Sequence, residues 1–161
     1  KAASERIFFE QYLQCLEKKF GASQQLLFPQ TITMNPADFA LVMELADEIR
    51  ALGFAFEQFG KSDLVVQGVP LDAASRDVQS LFEGLLEQIK HYSKDLGVNQ
   101  REQLAKIMAG KIASIPDHNL DPEEMESIID RLFGCQNPNY APGGQKTHVL
   151  LESNEIENLF K

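Results

Sequence analysis

Residues 1–20, KAASERIFFEQYLQCLEKKF, decide how the rest of the chain can pack. Their apolar side chains recur at helical spacings and form two neighbouring stripes along one predicted helix. The first stripe consists of Phe9, Leu13, Leu16 and Phe20, and the second of Phe8, Tyr12 and Cys15. A helix that covers one core needs an apolar arc of about 100°, and this helix has about twice that. We therefore expect one face to pack on its own domain and the other on a second surface.

No capping residue precedes Ala2, so we expect this chain to be part of a longer protein. Its 161 residues, 43% of them hydrophobic, are enough for one domain or one domain with two lobes. The net charge of −9 argues against direct binding to the DNA backbone, but not against a DNA-related role through partners. No apolar run approaches the length of a membrane span, about 20 residues. Cys15 and Cys135 fit a reducing cytoplasm, although one disulfide between them stays an alternative.

The chain from residue 21 to 70 predicts an edge strand, a helix and a hairpin. Residues 24–34 have strand character but include Pro29, which has no N–H to donate, so an edge strand is expected. Asn35 and Pro36 form a strong helix start, and Gly53 is the expected end. The buried residues of this helix are expected to be Phe39, Val42, Ala46 and Ile49. The expected hairpin strands are 54–59 and 64–69, around a turn at 60–63.

The chain after residue 70 predicts mainly helices. All the predicted elements together indicate an α+β fold, in which helices pack with small mixed or antiparallel sheets. Asn99 with Glu102 resembles a capping box, and Asp121 with Pro122 is the best helix start in the chain. The expected helices are 74–92, 99 to a stop at Pro116, and 121–134, with a polar connection at 93–98. The expected C-terminal elements are a loop at 135–146, a strand at 147–151 and a helical turn capped by Ser153. The expected inward-facing residues are Val78, Phe82, Leu85, Ile89, Leu104, Met108, Ile112, Ile115, Met125, Ile128, Ile129 and Leu132.

Three stretches of the sequence carry a family resemblance. They are AASERIFFE at 2–10, QQLLFP at 24–29 followed by GFAFEQFG at 53–60 and VP at 69–70, and residues 109–161 with NYAPGGQKT. In this order they resemble the C-terminal domain of the MutL family of DNA mismatch repair proteins. The resemblance covers nearly the whole chain. It implies a domain that holds two copies together as a homodimer, and in many members one that also carries a metal-dependent nicking endonuclease site.

The sequence departs from this pattern at most of the metal ligands that the resemblance implies. The pattern has histidine where this chain has Lys1, and Ala-Cys-Arg or Ala-Cys-Lys where it has residues 109–111. It has Cys-Pro-His-Gly-Arg-Pro where this chain has APGGQK at 141–146. The vestigial positions are Glu5, Glu10, Gly110, Ala141 and Gly143.

The side chains left at these positions are poor ligands for a zinc-like ion, which prefers thiolate, imidazole and carboxylate donors. Glu5 is the one plausible donor, because Glu10 lies about 140° further round the helix and cannot readily chelate the same ion. We therefore expect no catalytic residue, no bound metal, no cofactor and no enzymatic activity in this domain.

QQLLFP at 24–29 resembles the family's motif for docking on the replication sliding clamp. The implied docking residues are Gln24, Leu26, Leu27 and Pro29, with leucines as apolar anchors, glutamine as a polar contact and proline as a rigid end. The alternative is an ordinary edge strand whose leucines face the core. Leu26 and Leu27 point to opposite sides of a regular strand, so both can be anchors only if the backbone is irregular.

The family resemblance and the two-sided first helix together suggest two lobes. The dimerising lobe would combine 1–20 with 119–161, and the external lobe would be 22–118. Phe8, Tyr12 and Cys15 are the candidate residues of the dimer interface. The expected partners are a second copy, the sliding clamp and other mismatch repair proteins, with weak or indirect contact to DNA and none to a membrane. The domain would couple two ATPase-bearing subunits in the cytoplasm.

Two alternative functions stay open. One is an active nicking endonuclease with a rebuilt metal site, although the spacing of His118, Cys135 and His148 resembles no ligand motif. The other is a protein-interaction module unrelated to mismatch repair. Neither the acidic cluster after Asp121 nor the APGG sequence at 141–144 changes this choice, because a solvated helix end and a flexible turn explain them.

Overall fold

A computed structural model describes residues 1–74, 77–92, 99–114 and 120–161. These residues form an α+β fold of seven α-helices and one three-stranded antiparallel sheet. In chain order the elements are α1 (Ala2–Lys18), β1 (Ser23–Thr33), α2 (Pro36–Glu44), α3 (Ala46–Ala51), β2 (Ala55–Phe59), β3 (Asp63–Pro70), a 3₁₀ turn (Leu71–Ala73), α4 (Val78–Tyr92), α5 (Gln100–Ala113), α6 (Pro122–Phe133) and α7 (Ser153–Asn158). The predictions for the connection at 93–98, Ile115, Pro116, His118 and the lobe boundary at Asn119 lie outside the described residues.

Helix α1 packs against three other helices. It lies chiefly against α5, with α6 and α3 as further neighbours. Tyr12 and Leu16 enter the core, and Phe8, Phe9 and Leu13 pack partly buried against it. The two-sided apolar surface predicted for this helix therefore has neighbours on more than one side.

Phe20 does not belong to the buried face of α1, contrary to the sequence prediction. Lys19 adopts a left-handed conformation, with φ at 54°, and its N–H bonds the carbonyl of Cys15. This cap ends the helix at Lys18, so Phe20 lies beyond it and is exposed.

The sheet has the order β1–β3–β2, which confirms both the hairpin and the edge position of β1. Its buried face contains Leu64 and Val66 of β3 beside Ile32 of β1 and Phe56 of β2. Helix α4 packs on this face, where the ring of Phe82 meets Phe56 edge-on at 6.0 Å between centroids. The sheet and helices share one hydrophobic cluster, which also includes Tyr12 and Leu16 of α1. The division into two lobes stays a prediction.

The other helices follow the sequence patterns with three corrections. The single helix predicted from Asn35 to Gly53 is divided at Leu45 into α2 and α3. Asn99 precedes α5, but its backbone is at φ −151° and ψ 56°, and its side chain makes no capping hydrogen bond. Ser153 is the first residue of α7, because Glu152 is the cap and forms a capping box with Glu155.

The predicted buried positions of α2 to α5 are confirmed for the residues described. Those that are fully or almost fully buried are Val42, Ala46, Ile49, Val78, Phe82, Leu85, Ile89, Leu104, Met108 and Ile112, while Phe39 is half-buried. The segment between α1 and β1 passes very close to the end of α3 at Gly21. A Cβ on Gly21 would lie 2.3 Å from the carbonyl oxygen of Ala51, so only glycine fits between α1 and β1 at this point.

The C-terminal part differs most from the prediction. Asp121 and Glu124 form the predicted capping box of α6, and Leu132 is buried. However, Met125 and Ile129 are exposed, and the main neighbour of α6 among the described elements is α1. Residues 147–151 form no strand, because they pair with no other strand of the described chain. The isolated bridge in this part of the chain joins Tyr140 and Lys146, just before them.

Candidate functional site

The residues predicted to dock on a sliding clamp lie in a large bulge at the edge of the sheet. On one side of the bulge Gln25 pairs with Gly68, and on the other Gln30 pairs with Val66. Residues 26–29 of β1 therefore stand opposite residue 67 alone. Such a bulge interrupts the alternation of a regular strand, which is the irregularity that the docking hypothesis requires.

The side chains of the bulge divide into one that packs inward and several that face solvent. Leu26 packs partly buried against the core. Leu27 and Phe28 are 93% and 81% exposed, and Pro29 is exposed beside them. The sequence analysis did not select Phe28, although the bulge presents it next to Leu27. Two neighbouring apolar side chains in full contact with water are unusual on a strand edge without a partner.

A second site joins α1 to the C-terminal loop through two charged side chains. Arg6 Nε donates to the carbonyl oxygen of Tyr140 at 2.5 Å, and Arg6 Nη1 lies 3.5 Å from Glu10 Oε1. Glu10 in turn accepts hydrogen bonds from the backbone N–H groups of Gln136 at 2.7 Å and Asn137 at 3.1 Å. Both side chains are largely buried. Both carboxylate oxygens of Glu10 therefore have partners, and these contacts hold the loop on α1.

The two cysteines are free thiols in this structure, so no disulfide joins them. Burial, reinforced by the charge of Glu10, raises the pKa of the Cys135 thiol. Burial, reinforced by Asp72, raises the pKa of the Cys15 thiol. A raised pKa disfavours the thiolate, which is the nucleophilic and metal-binding form of cysteine.

Three of the five vestigial positions line one cavity of about 330 Å³. Glu5 contributes a carboxylate, and Gly110 and Gly143 contribute only backbone. A Cβ built on either glycine meets no atom within 4 Å, so both face open space. Ala141 is buried next to Pro142 of the cavity wall, and Glu10 belongs to the loop contact described above.

The loop that supplies Gly143 is a tight hydrogen-bonded turn. The N–H of Gly144 bonds the carbonyl of Ala141 at 2.9 Å, and the N–H of Ala141 bonds the carbonyl of Gln145 at 2.8 Å. Gly144 has φ at 84°, a conformation that favours glycine. The APGG sequence is therefore a turn, as the sequence analysis expected, and its geometry holds Gly143 at the cavity.

The third candidate site is a large exposed apolar surface, which we call the C-terminal apolar surface. On α6 it consists of Met125, Ile129 and Phe133, spaced four residues apart and facing away from α1. We include in it the exposed apolar residues of the C-terminal segment, Val149, Leu150, Leu151, Ile156, Leu159 and Phe160. The ring of His148 packs against Phe133, with 5.1 Å between centroids.

Of the predicted interface residues of α1, Phe8 contacts α6, but on the side that carries Arg131 and not on the apolar stripe. The guanidinium of Arg131 on α6 lies 5.5 Å from the centre of the Phe8 ring. Cys15 is half-buried on the other end of the same stripe. Tyr12 is 1% exposed and belongs to the core, so it is not available to a second copy in this structure.

Comparisons with known proteins agree with this picture. Residues 1–120 match the family model described as the MutL C terminal dimerisation domain. The chain belongs to this family. It is 30% identical over 158 residues to a protein of Chlorobaculum tepidum and 29% identical to one of Chlorobaculum parvum, both named DNA mismatch repair protein MutL. The alignments cover 98% of this chain and 25% of each relative, so the chain spans about a quarter of their length.

Membership of the MutL family raises the question of whether the residues fit a metal ion. In the described part of the chain, no group of three or more His, Cys, Asp or Glu side chains converges. The cavity at the vestigial positions holds Glu5 together with Lys106 and Lys111. One carboxylate beside two ammonium groups does not fit a divalent cation.

Among the residues that the structure describes, no helix is long and apolar enough to cross a bilayer.

The sequence analysis missed Arg6, Lys106 and the outward face of α6. The roles of Arg6 and Lys106 depend on which parts of the chain meet, and no spacing rule predicts this. The outward face of α6 was detectable as a periodic apolar stripe, but periodicity alone does not say whether such a stripe is covered. The proposed docking and interface residues stay predictions at this point.

Replacing Glu10 with alanine should lower the free energy of unfolding by about 3 kcal/mol, because it leaves the buried charge of Arg6 without a carboxylate. The matched control is Glu5→Ala, whose partner Lys1 is exposed and 3.9 Å away. Its effect should stay within about 0.5 kcal/mol. Urea unfolding measures both changes, and the amide exchange of Gln136 and Asn137 should accelerate only in the Glu10 variant. Equal stability of the two variants would contradict this role of Glu10.

Proposed function

We propose that this chain is the homodimerisation domain of a bacterial MutL-like mismatch repair protein, and that the C-terminal apolar surface is where the second copy binds. The observation that carries the proposal is the stripe of Met125, Ile129 and Phe133 on α6. A monomeric protein rarely leaves so many large apolar side chains in water, and extensive patches usually mark an interface. The name of the family model supports the same function.

A second copy suits this surface better than an unrelated partner. A two-fold interface uses the same patch on both subunits, so the patch must be complementary to itself. A straight apolar stripe on a helix can pack against the same stripe of a second helix by ridges into grooves. Phe8 packs under Arg131 on the side of α6 that faces α1, and Tyr12 lies in the core, so the proposed interface rests on the C-terminal apolar surface.

The biological role of the dimer would be to couple two longer subunits. The chain covers 25% of its relatives, so regions outside it would carry the ATPase activity. Joining two such regions through one domain raises their effective concentration to about the millimolar range, depending on the linker. An acidic domain could in this way serve a DNA transaction in the cytoplasm, with other mismatch repair proteins, while contacting DNA weakly or indirectly.

The domain itself would have no endonuclease activity. The reason is the chemistry of the cavity at Glu5, where Gly110 and Gly143 offer no side-chain donor and the other charged side chains are lysines. A metal-dependent nuclease needs a bound ion to activate water and to neutralise the developing negative charge. The alternative, a metal site rebuilt from other residues, finds no support in the positions of Cys135 and His148, which belong to the loop contact and the C-terminal apolar surface.

The bulge on β1 would be a docking site for the replication sliding clamp. Its support is the exposure of Leu27 and Phe28 at a free sheet edge, beside the rigid Pro29. An irregular segment that already holds its anchors in water loses little conformational entropy on binding. Gln24 lies within the paired part of β1, opposite Val69, and would supply the polar contact at the start of the motif.

The homodimer is tested by light scattering across a dilution series. The wild-type chain should have twice its monomer mass of 18.1 kDa. Ile129→Glu places a charge in the centre of the surface and should weaken the dimer by at least about tenfold. Ser127→Glu introduces the same charge on the exposed polar side of α6 and should leave the dimer unchanged. A wild-type monomer at micromolar concentration, or equal effects of both variants, would argue for a different interaction module.

The absence of a metal site is tested by adding Mn²⁺ and recording the amide resonances of Glu5 and Gly143. A bound paramagnetic ion would broaden both signals at stoichiometric concentration. We expect no selective broadening, because Lys106 and Lys111 repel a divalent cation. Selective broadening of this pair, lost in a Glu5→Gln variant, would favour the rebuilt endonuclease.

Docking on the clamp is tested by surface plasmon resonance with Leu27→Ala. Removing a fully exposed anchor should weaken binding by about tenfold without changing stability, since its side chain has no partner to lose in the free domain. Phe59→Ala is the matched control, because Phe59 is an exposed apolar residue on the opposite edge strand β2. Unchanged affinity for the Leu27 variant would remove the docking function.

A further inference from the structure

We propose that the cavity beside Glu5 binds a small phosphate monoester, with Lys106 and Lys111 as the groups that recognise the phosphate. The chain has a net charge of −9. Among the described residues that line this cavity, however, the charged side chains are two lysines and one glutamate. The cavity is therefore a local region of positive charge on an acidic protein.

The position of Lys111 is set by its neighbours on α4. A Cβ added to Gly84 would lie 2.7 Å from Lys111 Nζ, so the missing side chain leaves room for this lysine to lie against α4. Gln88 follows one turn later on α4 and lines the same cavity. Two facing helices thus bring an ammonium group and a carboxamide to one wall.

The donors available in the cavity suit an oxyanion. Each lysine offers N–H donors and no acceptor, and the amide of Gln88 adds further donors. Hydrogen bonds from charged donors to phosphate oxygens are among the strongest that a protein makes. Ser114 is not part of this set, because its hydroxyl already donates to the carbonyl of Lys111 at 2.8 Å.

The size of the cavity points to an ester rather than to free phosphate. Its volume of about 330 Å³ lies within the range of small-molecule sites, about 300–1,000 Å³. A phosphate ion would fill a small part of this space. Pro142 and Ile107 line the remainder and offer an apolar wall to the organic part of a ligand such as a nucleoside monophosphate.

The carboxylate of Glu5 allows a test of whether the ligand is an anion or a cation. Its partner Lys1 is 3.9 Å away and exposed, so much of its negative charge still acts on the cavity. A phosphate would be repelled by Glu5, whereas a metal ion would be attracted. Removing this charge should therefore tighten the binding of a phosphate monoester. The phosphate-binding side chains lie on α4 and α5, no residue of α6 lines the cavity, and the proposal does not rest on dimerisation.

The experiment is an NMR titration of the 161-residue chain with adenosine monophosphate, inorganic phosphate and adenosine at low ionic strength. We expect saturable shifts at Gly110 and Gly143 with the monophosphate, weaker binding of inorganic phosphate, and none of adenosine. The double variant Lys106→Gln with Lys111→Gln should bind at least about tenfold more weakly. Glu5→Gln should bind about threefold more tightly.

The control for general charge is Lys18→Gln with Lys61→Gln, which removes two exposed lysines at the end of α1 and in the β2–β3 turn. It should bind like the wild type. Equal weakening in both double variants would mean nonspecific attraction and would overturn the proposal. So would adenosine or inorganic phosphate binding as tightly as the monophosphate. If the cavity variant fails to fold, weaker or unchanged binding in Glu5→Gln is sufficient to reject the site.

Discussion

The structure depends on the two-sided burial of α1. This helix packs on α5 through apolar side chains and at the same time holds the C-terminal loop through Arg6 and Glu10. A buried guanidinium must keep its partners, because an unpaired buried charge costs several kcal/mol. Arg6 and Glu10 lie one helical turn apart on α1, and their hydrogen bonds to Tyr140, Gln136 and Asn137 fix the position of the loop. The turn at Gly143 and the start of the C-terminal apolar surface follow from that position.

The same helix carries two of the vestigial positions, Glu5 and Glu10. Glu5 and Glu10 face different sides of α1, and the structure uses them differently. Glu10 is saturated by two backbone N–H groups and an arginine, which makes it a structural residue. Glu5 lies at an open cavity, where the other charged side chains are Lys106 and Lys111. Gly110 and Gly143 line the same cavity, so three of the vestigial positions lie together although two of them offer no side-chain donor.

Sequence reasoning succeeded where local physics decides the outcome. Asn35 and Asp121 cap their helices because an extended cap residue with a short side chain can reach the amides of the first turn. The buried stripe of α4 follows from helical periodicity. Reasoning from sequence failed where a second element decides. The pattern at 147–151 resembles a strand but has no ladder partner, and the apolar face of α6 is uncovered, because periodicity specifies a face and not its neighbour.

The clamp motif illustrates the same limit within one short segment. Its residue types predict docking, which stays a prediction, and its strand character predicts burial, which is correct for Leu26 alone among residues 26–29. The bulge resolves the conflict by letting Leu26 pack inward while Leu27 and Phe28 remain in water. A hydrophobic pattern alone cannot predict a four-residue bulge, since the register depends on the pairing of β1 with β3 on both sides of it.

The bulge on β1 and the C-terminal apolar surface are separate, and this matters for how partners could bind together. The bulge lies on β1, whose neighbours are β3 and α4, whereas the C-terminal apolar surface lies on α6, which packs on α1. Neither surface uses a side chain that the other needs, so a partner at the sheet edge would not compete with a second copy at α6. A two-fold dimer would then carry two bulges at once. Binding of one bulge to a ring-shaped partner would raise the effective concentration of the other, so that two weak contacts could act as one stronger attachment.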